Sequence, residues 1–140
     1  MNLTYRCKHI DLGNGSRSKE PIIPVTLIGE QGTKFNFTAI LDSGSDFVLL
    51  PLEVAEALEL ELDKSAAEKA KSFTGTPITT TMSNVRTRIQ KGHEAIEIKC
   101  RCAVLLDRQS QHEHIIFGSS FFDHFKITFD YQNNRFQIKN

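Results

Sequence analysis

An aspartate, Asp42, directly follows an apolar strand in the stretch FTAILDSGSDFVLLP from Phe37 to Pro51, and a second apolar run follows it. Aspartate is a poor strand residue, and an ionised carboxylate is rarely buried without a partner. A chain that sends an apolar strand straight into Asp42-Ser43-Gly44-Ser45 therefore displays the acid rather than burying it. Two readings of the residues stay open. Asp, Ser and Gly are turn formers, and Gly44 could supply a positive φ in a plain loop. Alternatively the acid is held for work, exchanging protons with water or a substrate.

The flanks bear on that choice. Leu41-Asp42-Ser43-Gly44-Ser45, with apolar residues before it and Val48-Leu49-Leu50-Pro51 after it, resembles the active-site signature of the aspartic proteases. That signature is an apolar pair, Asp, Thr or Ser, Gly, then Ala or Ser, and the single-domain, retroviral-type branch often continues to Leu-Pro or Ile-Pro. A second stretch follows in the family order. From His114 onward the chain reads IIFGSSFFDHFKITFDYQNNRFQI, an apolar strand ending in Gly118, a short apolar helix, a strand, an Asn133-Asn134 turn and a last strand. This is similar to the part of retroviral-type proteases that passes behind the catalytic loop and closes the fold, with Phe129-Asp130-Tyr131 and Arg135-Phe136-Gln137-Ile138 as the closing hairpin. The resemblance runs from Pro21 to Asn140 and leaves residues 1–20 as an N-terminal extension with a possible edge strand. It implies an all-β fold with one or two short helices, a retropepsin-like acid protease barrel with one lobe per chain. The family usually has Arg and then Asp or Asn after this glycine, and the Arg pairs with the acid four residues after the catalytic Asp. Asp46 keeps that acid, but Ser119-Ser120 replaces the Arg and the residue after it, so Asp46 needs another partner.

The chemistry implied is peptide hydrolysis by two carboxylates sharing one proton. Like charges about 3 Å apart cannot both ionise, so one carboxylate takes a proton from water while the other donates to the carbonyl oxygen. The chain of 140 residues contains one Asp-Ser-Gly and no second copy. The resemblance therefore implies a homodimer with a two-fold axis between Asp42 and its mate. Ser43 would hydrogen-bond across that axis, and Gly44 would let backbone approach carboxylate and substrate. Ser45 and Asp46 would face the peptide, and Thr74, Gly75 and Thr76 would close over it as a flap. Val48, Ile78 and Ile116 are expected to wall the side-chain pockets. No cofactor or metal is implied. The alternative is the same fold used as a weakly active or inactive dimerisation or peptide-binding module.

The rest of the sequence bounds these readings. Lys plus Arg and Asp plus Glu both number 17, a balance that argues against an electrostatic nucleic-acid binder. The N-terminus lacks the apolar core of a signal peptide, no apolar run approaches membrane-spanning length, and three cysteines do not make a disulfide framework. A soluble, cytoplasmic protein is the expectation, with no membrane partner. Cys100 and Cys102 should point to one strand face as small hydrophobes. His112-Glu113-His114 holds potential ligands, but neighbours on a loop rarely converge on one metal.

The elements that must hold Asp42 follow from periodicity. Pro21 to Ile28 and Lys34 to Leu41 read as strands joined by a Gly29–Gly32 turn, with the aspartate at the end of the second arm. Leu52 to Leu62 reads as a helix with Leu52, Ala55, Leu58 and Leu62 on one stripe, and Asp63 to Ser72 as its extension or a loop. Ile78 to Ile89 reads as a long strand, Lys91–Glu94 as a turn, and Ala95 to Leu106 as a half-buried strand.

Overall fold

The computed structural model describes residues 1–71, 77–107 and 115–140. In chain order the elements are β1 (Asn2–Arg6), β2 (Lys8–Asp11), β3 (Arg17–Glu20), β4 (Ile22–Ile28), β5 (Lys34–Leu41), β6 (Val48–Pro51), α1 (Leu52–Ala57), β7 (Glu68–Lys71), β8 (Pro77–Lys91), β9 (Glu94–Leu105), β10 (Ile115–Phe117), α2 (Ser119–Phe122), β11 (Lys126–Asp130) and β12 (Arg135–Lys139). The fold is mostly β with two short helices. Strand alternation decides which side chains enter the core. Ile23, Val25 and Leu27 of β4, and Cys100, Cys102 and Val104 of β9, are all buried.

The expectation of a closed barrel is corrected. The strands divide among three sheets, ordered β4-β5-β10-β6-β9-β8-β7, β1-β12-β11 and β2-β3. The largest runs out to β7 as an edge. β4 meets β8 again only from Thr26↔Arg88 to Ile28↔Arg86, so the sheet bends across itself there, but the strands are not gathered into a closed barrel. The physical reason lies partly in the N-terminal strand. β1 pairs with β12 along five residue pairs, from Asn2↔Lys139 to Arg6↔Arg135, and Tyr5 stacks on Phe136 at 5.5 Å between ring centroids. β12 thus has a partner on both of its edges within this sheet, β1 on one side and β11 on the other.

The strand and turn boundaries around the Asp42 segment match expectation, with β4 and β5 paired in a hairpin from Ile22↔Ile40 to Ile28↔Lys34. Gly29 is required at its end, because a Cβ there would lie 2.0 Å from the Leu58 carbonyl oxygen. Gly92 adopts φ +61° in the two-residue turn between β8 and β9, as a tight hairpin of this kind demands.

The long helix is also corrected. α1 ends at Ala57, and Glu59 takes φ +56°, a left-handed residue that stops the helix. Turning there lets Leu58 and Leu60 both enter the core. The following segment is pinned along β8, where the Thr81 hydroxyl donates to the Asp63 carbonyl (2.8 Å) and the Ser83 hydroxyl to the Glu61 carbonyl (3.0 Å). Of the segment Asp63 to Ser72, the described part accordingly begins with a 3₁₀ turn over Lys64–Ala66 and continues as strand β7 (Glu68–Lys71), while Ser72 lies outside the described residues.

Burial pushes the Cys102 thiol up to about 12 and the Cys100 thiol up to about 11, and raises Cys7 as well. The thiolate is the reactive form. The folded chain is therefore expected to resist a thiol reagent at neutral pH, reacting roughly a hundredfold more slowly than the unfolded chain, which should yield all three cysteines. Thiol titration with and without denaturant measures this. The sign for stability follows. Unfolded thiols ionise near 9.0 while the buried ones stay protonated, so their contribution is intact below that pH and declines as pH climbs toward 11.

Candidate active site

Asp42 occupies the first position beyond β5. Its N–H donates to the Phe117 carbonyl of β10 (3.0 Å), extending the parallel pairing Ile115↔Ala39, Ile116↔Ile40 and Phe117↔Leu41 by one step. The chain then turns, with the Ser45 N–H donating to the Asp42 carbonyl (3.1 Å) and the Gly44 N–H to Asp42 Oδ1 (2.9 Å). A Cβ on Gly44 would sit 3.2 Å from that oxygen, so glycine keeps the bond close. Asp42, Ser43, Gly44 and Asp46 are exposed and Ser45 is half-buried, its hydroxyl donating to the Phe47 carbonyl (3.0 Å). The acid is displayed on a turn, and the turn is fixed at its base.

The fixation comes from α2. Its first N–H groups point at the loop, Ser119 donating to the Ser45 carbonyl (2.8 Å) and Ser120 to the Asp46 carbonyl (3.1 Å). The Ser120 hydroxyl accepts from the Val48 N–H (2.9 Å) and donates to the Arg101 carbonyl (2.8 Å), so one small side chain ties loop, helix and β9 together. Behind it, the rings of Phe117, Phe121 and Phe125 pack in sequence at a tilt, with centroids 4.6 and 4.9 Å apart. Sequence reasoning noted Ser119-Ser120 only as a departure from the family pattern. The bridging role of Ser120 depends on partners far away in the chain, and its sole local signal is a short polar residue inside an apolar stretch. Among the described residues no cationic side chain pairs with Asp46.

A cleft of about 230 Å³ opens beside the loop, lined by Ser45, Asp46, Phe47, Leu49, Glu68, Thr80, Met82 and Ala103. The paired strands β7 and β8, in register from Glu68↔Thr80 to Lys71↔Pro77, contribute Glu68, Thr80 and Met82 to that lining. Val48 does not wall the cleft as expected. It is fully buried, and by alternation Leu49 takes the outward place. Thr74, Gly75 and Thr76 lie outside the described residues, as do His112, Glu113 and His114. Among the described residues, no group of three His, Cys, Asp or Glu side chains could hold a metal ion.

An exposed Asp-Ser-Gly turn, backed by strand β10, which ends at Phe117 just before Gly118, and by the N-terminus of α2, places this chain in a recognisable class. The sequence profile of the aspartyl proteases matches residues 23–121, well over half of the chain, and the chain belongs to that family. Within it, the fold is the single-domain, retropepsin-like one, at a distant degree of relationship. A crystal structure of a retropepsin-like aspartic protease from Rickettsia conorii is similar over 99% of this chain and 89% of that one, with a TM-score of 0.58 and 15% identity. At that identity the likeness is one of fold. The EIAV protease in complex with the inhibitor HBY-793 aligns over 82% of this chain and 93% of that one, with a TM-score of 0.49 and 17% identity. No curated protein sequence matches the chain.

Proposed function

We propose that the chain is an aspartic endopeptidase that works as a homodimer, with Asp42 from each of two chains forming the catalytic pair. The observation that carries this reading is the Asp42 carboxylate itself, exposed at the tip of a turn whose backbone is held by β10 and α2. A displayed acid on a fixed base is the arrangement two carboxylates need if they are to meet at a set distance.

In this reading the two Asp42 carboxylates share one proton and titrate as a pair. The ionised one takes a proton from a water molecule as the water attacks the peptide carbonyl. The protonated one donates to the carbonyl oxygen as it becomes a hydroxyl. The Gly44 N–H, already bonded to Asp42 Oδ1, holds one oxygen of each carboxylate in place. Ser43, exposed next to it, would hydrogen-bond across the two-fold axis beneath the pair. Ser45 and Asp46 would bind the peptide main chain, and the segment with Thr74, Gly75 and Thr76 would close over it from the end of the β7–β8 hairpin. The substrate is a polypeptide in extended form, bound largely through its main chain.

The test is incubation with an unfolded protein between about pH 4 and 6, where a carboxylate pair can hold a single proton. Internal cleavage that pepstatin blocks is the expected result. A folded dimer that leaves every substrate intact across that range would instead favour a peptide-binding module.

A further inference from the structure

The cleft beside the Asp42 loop has a graded lining, and strand pairing explains it. Leu49 of β6 lies directly opposite Ala103 of β9, and Ala103 lies opposite Met82 of β8. Residues paired in this way point to one sheet face, so the three form an apolar row across three strands. Ala103 is the smallest of them and sits in the middle, which dishes the row at its centre. Two positions along β8, Thr80 shares that face and is paired with Glu68 of β7, the edge strand of the sheet. An apolar floor therefore gives way to a polar end that carries a carboxylate. All five side chains line the same space of about 230 Å³.

Glu68 has no cation of its own. It is exposed, and among the described residues no basic side chain pairs with it or with Asp46. Lys69, its neighbour on β7, takes the other face of the strand by alternation. An exposed glutamate is ordinary on a protein surface, but this one lines a cleft that also contains Ser45 and Asp46, in the loop that displays Asp42. In the endopeptidase reading Asp46 holds the peptide main chain, which leaves Glu68 to meet a side chain.

The side chain that suits this lining has a long apolar stem and a cationic end. Lysine and arginine lay their methylene groups along apolar surface while the charged head reaches beyond it. Phe47, 37% exposed, adds a ring to the lining, and guanidinium groups pack on such rings more readily than ammonium groups do. A substrate glutamate or aspartate entering the same space would meet two like charges, Glu68 and Asp46.

We infer that Glu68 is a specificity-determining residue, and that the cleft takes an arginine or lysine side chain of an extended peptide. The inference rests on the reading of the chain as a peptide-cleaving enzyme, and it names the class of substrate. That class is chains with a basic residue at one fixed position near the cut bond.

A positional scan tests it. Short fluorescent peptides, otherwise uncharged, carry Arg, Leu or Glu at each position in turn. Binding is measured by anisotropy on Asp42→Asn chains, and cleavage by mass spectrometry with the wild type. At one position, arginine is expected to be bound and cut at least about tenfold better than glutamate. Glu68→Gln should bring that ratio down to about threefold or less, and Glu68→Lys should invert it. Glu68 is exposed, so both variants should keep the wild-type circular dichroism. Cleavage with indifference to charge at every position, or with a preference for arginine that survives both substitutions, overturns the inference and leaves the endopeptidase reading standing. Peptides bound with the stated preference but never cut would overturn the endopeptidase and keep the role of Glu68. Peptides neither bound nor cut overturn both.

Discussion

Gly118→Ala is expected to cost the fold about 2–4 kcal/mol, lowering the melting temperature by roughly 5–15 °C. The cause is steric rather than conformational. Gly118 has φ −105°, which any residue adopts, yet a Cβ built there would lie 2.2 Å from the Ser45 carbonyl oxygen and 2.7 Å from that of Phe47. Both are backbone atoms of the Asp42 loop, so no side-chain rotation relieves the clash. Either the loop or the start of α2 must move, and the bonds from Ser119 and Ser120 to the loop carbonyls stretch in either case. Denaturant unfolding measures the loss. Gly44→Ala is the contrast, because its nearest obstruction is the Asp42 side chain at 3.2 Å. Its effect should fall on the carboxylate more than on stability.

Asp42→Asn is expected to do the reverse. Asparagine has nearly the same shape, and its amide oxygen can accept the Gly44 N–H as Asp42 Oδ1 does. The side chain is exposed, so stability should change by no more than about 0.5 kcal/mol. Hydrolysis should fall by roughly a thousandfold or more, because an amide neither takes a proton from water nor shares one with its mate. A variant that keeps its melting temperature and loses cleavage separates chemistry from folding. A variant that still cuts at the wild-type rate removes Asp42 from the mechanism.

What the sequence reveals and what it conceals divides along local and non-local lines. β5, β8 and β9 are legible because alternating apolar residues and β-branched side chains are properties of a few neighbouring positions. The Asp42 turn is legible for a similar reason, since acid, glycine and flanking strands lie within one short stretch. The end of α1 is not. Leu52 to Leu62 is good helix sequence, and it stops at Glu59 because burying both Leu58 and Leu60 against distant strands outweighs local propensity. β7 reads as polar, and Glu68–Lys71 is a strand only because β8 supplies its partner. The division into three sheets depends on which strand β1 joins, and no residue in β1 announces β12. Ser120 is concealed in the same way. Its neighbours Val48 and Arg101 reach it only through the fold, and its two hydroxyl hydrogen bonds brace the loop.

The central claim is that one active site needs Asp42 from two chains, and mixing measures that directly. Wild-type and Asp42→Asn chains are unfolded together in varying ratio, refolded at constant total concentration, and assayed for cleavage. Mixed dimers contain one aspartate and one asparagine and should be inactive. Activity is then expected to follow the square of the wild-type fraction. Activity that falls in direct proportion to that fraction would mean that a single chain carries a complete site, and would contradict the account.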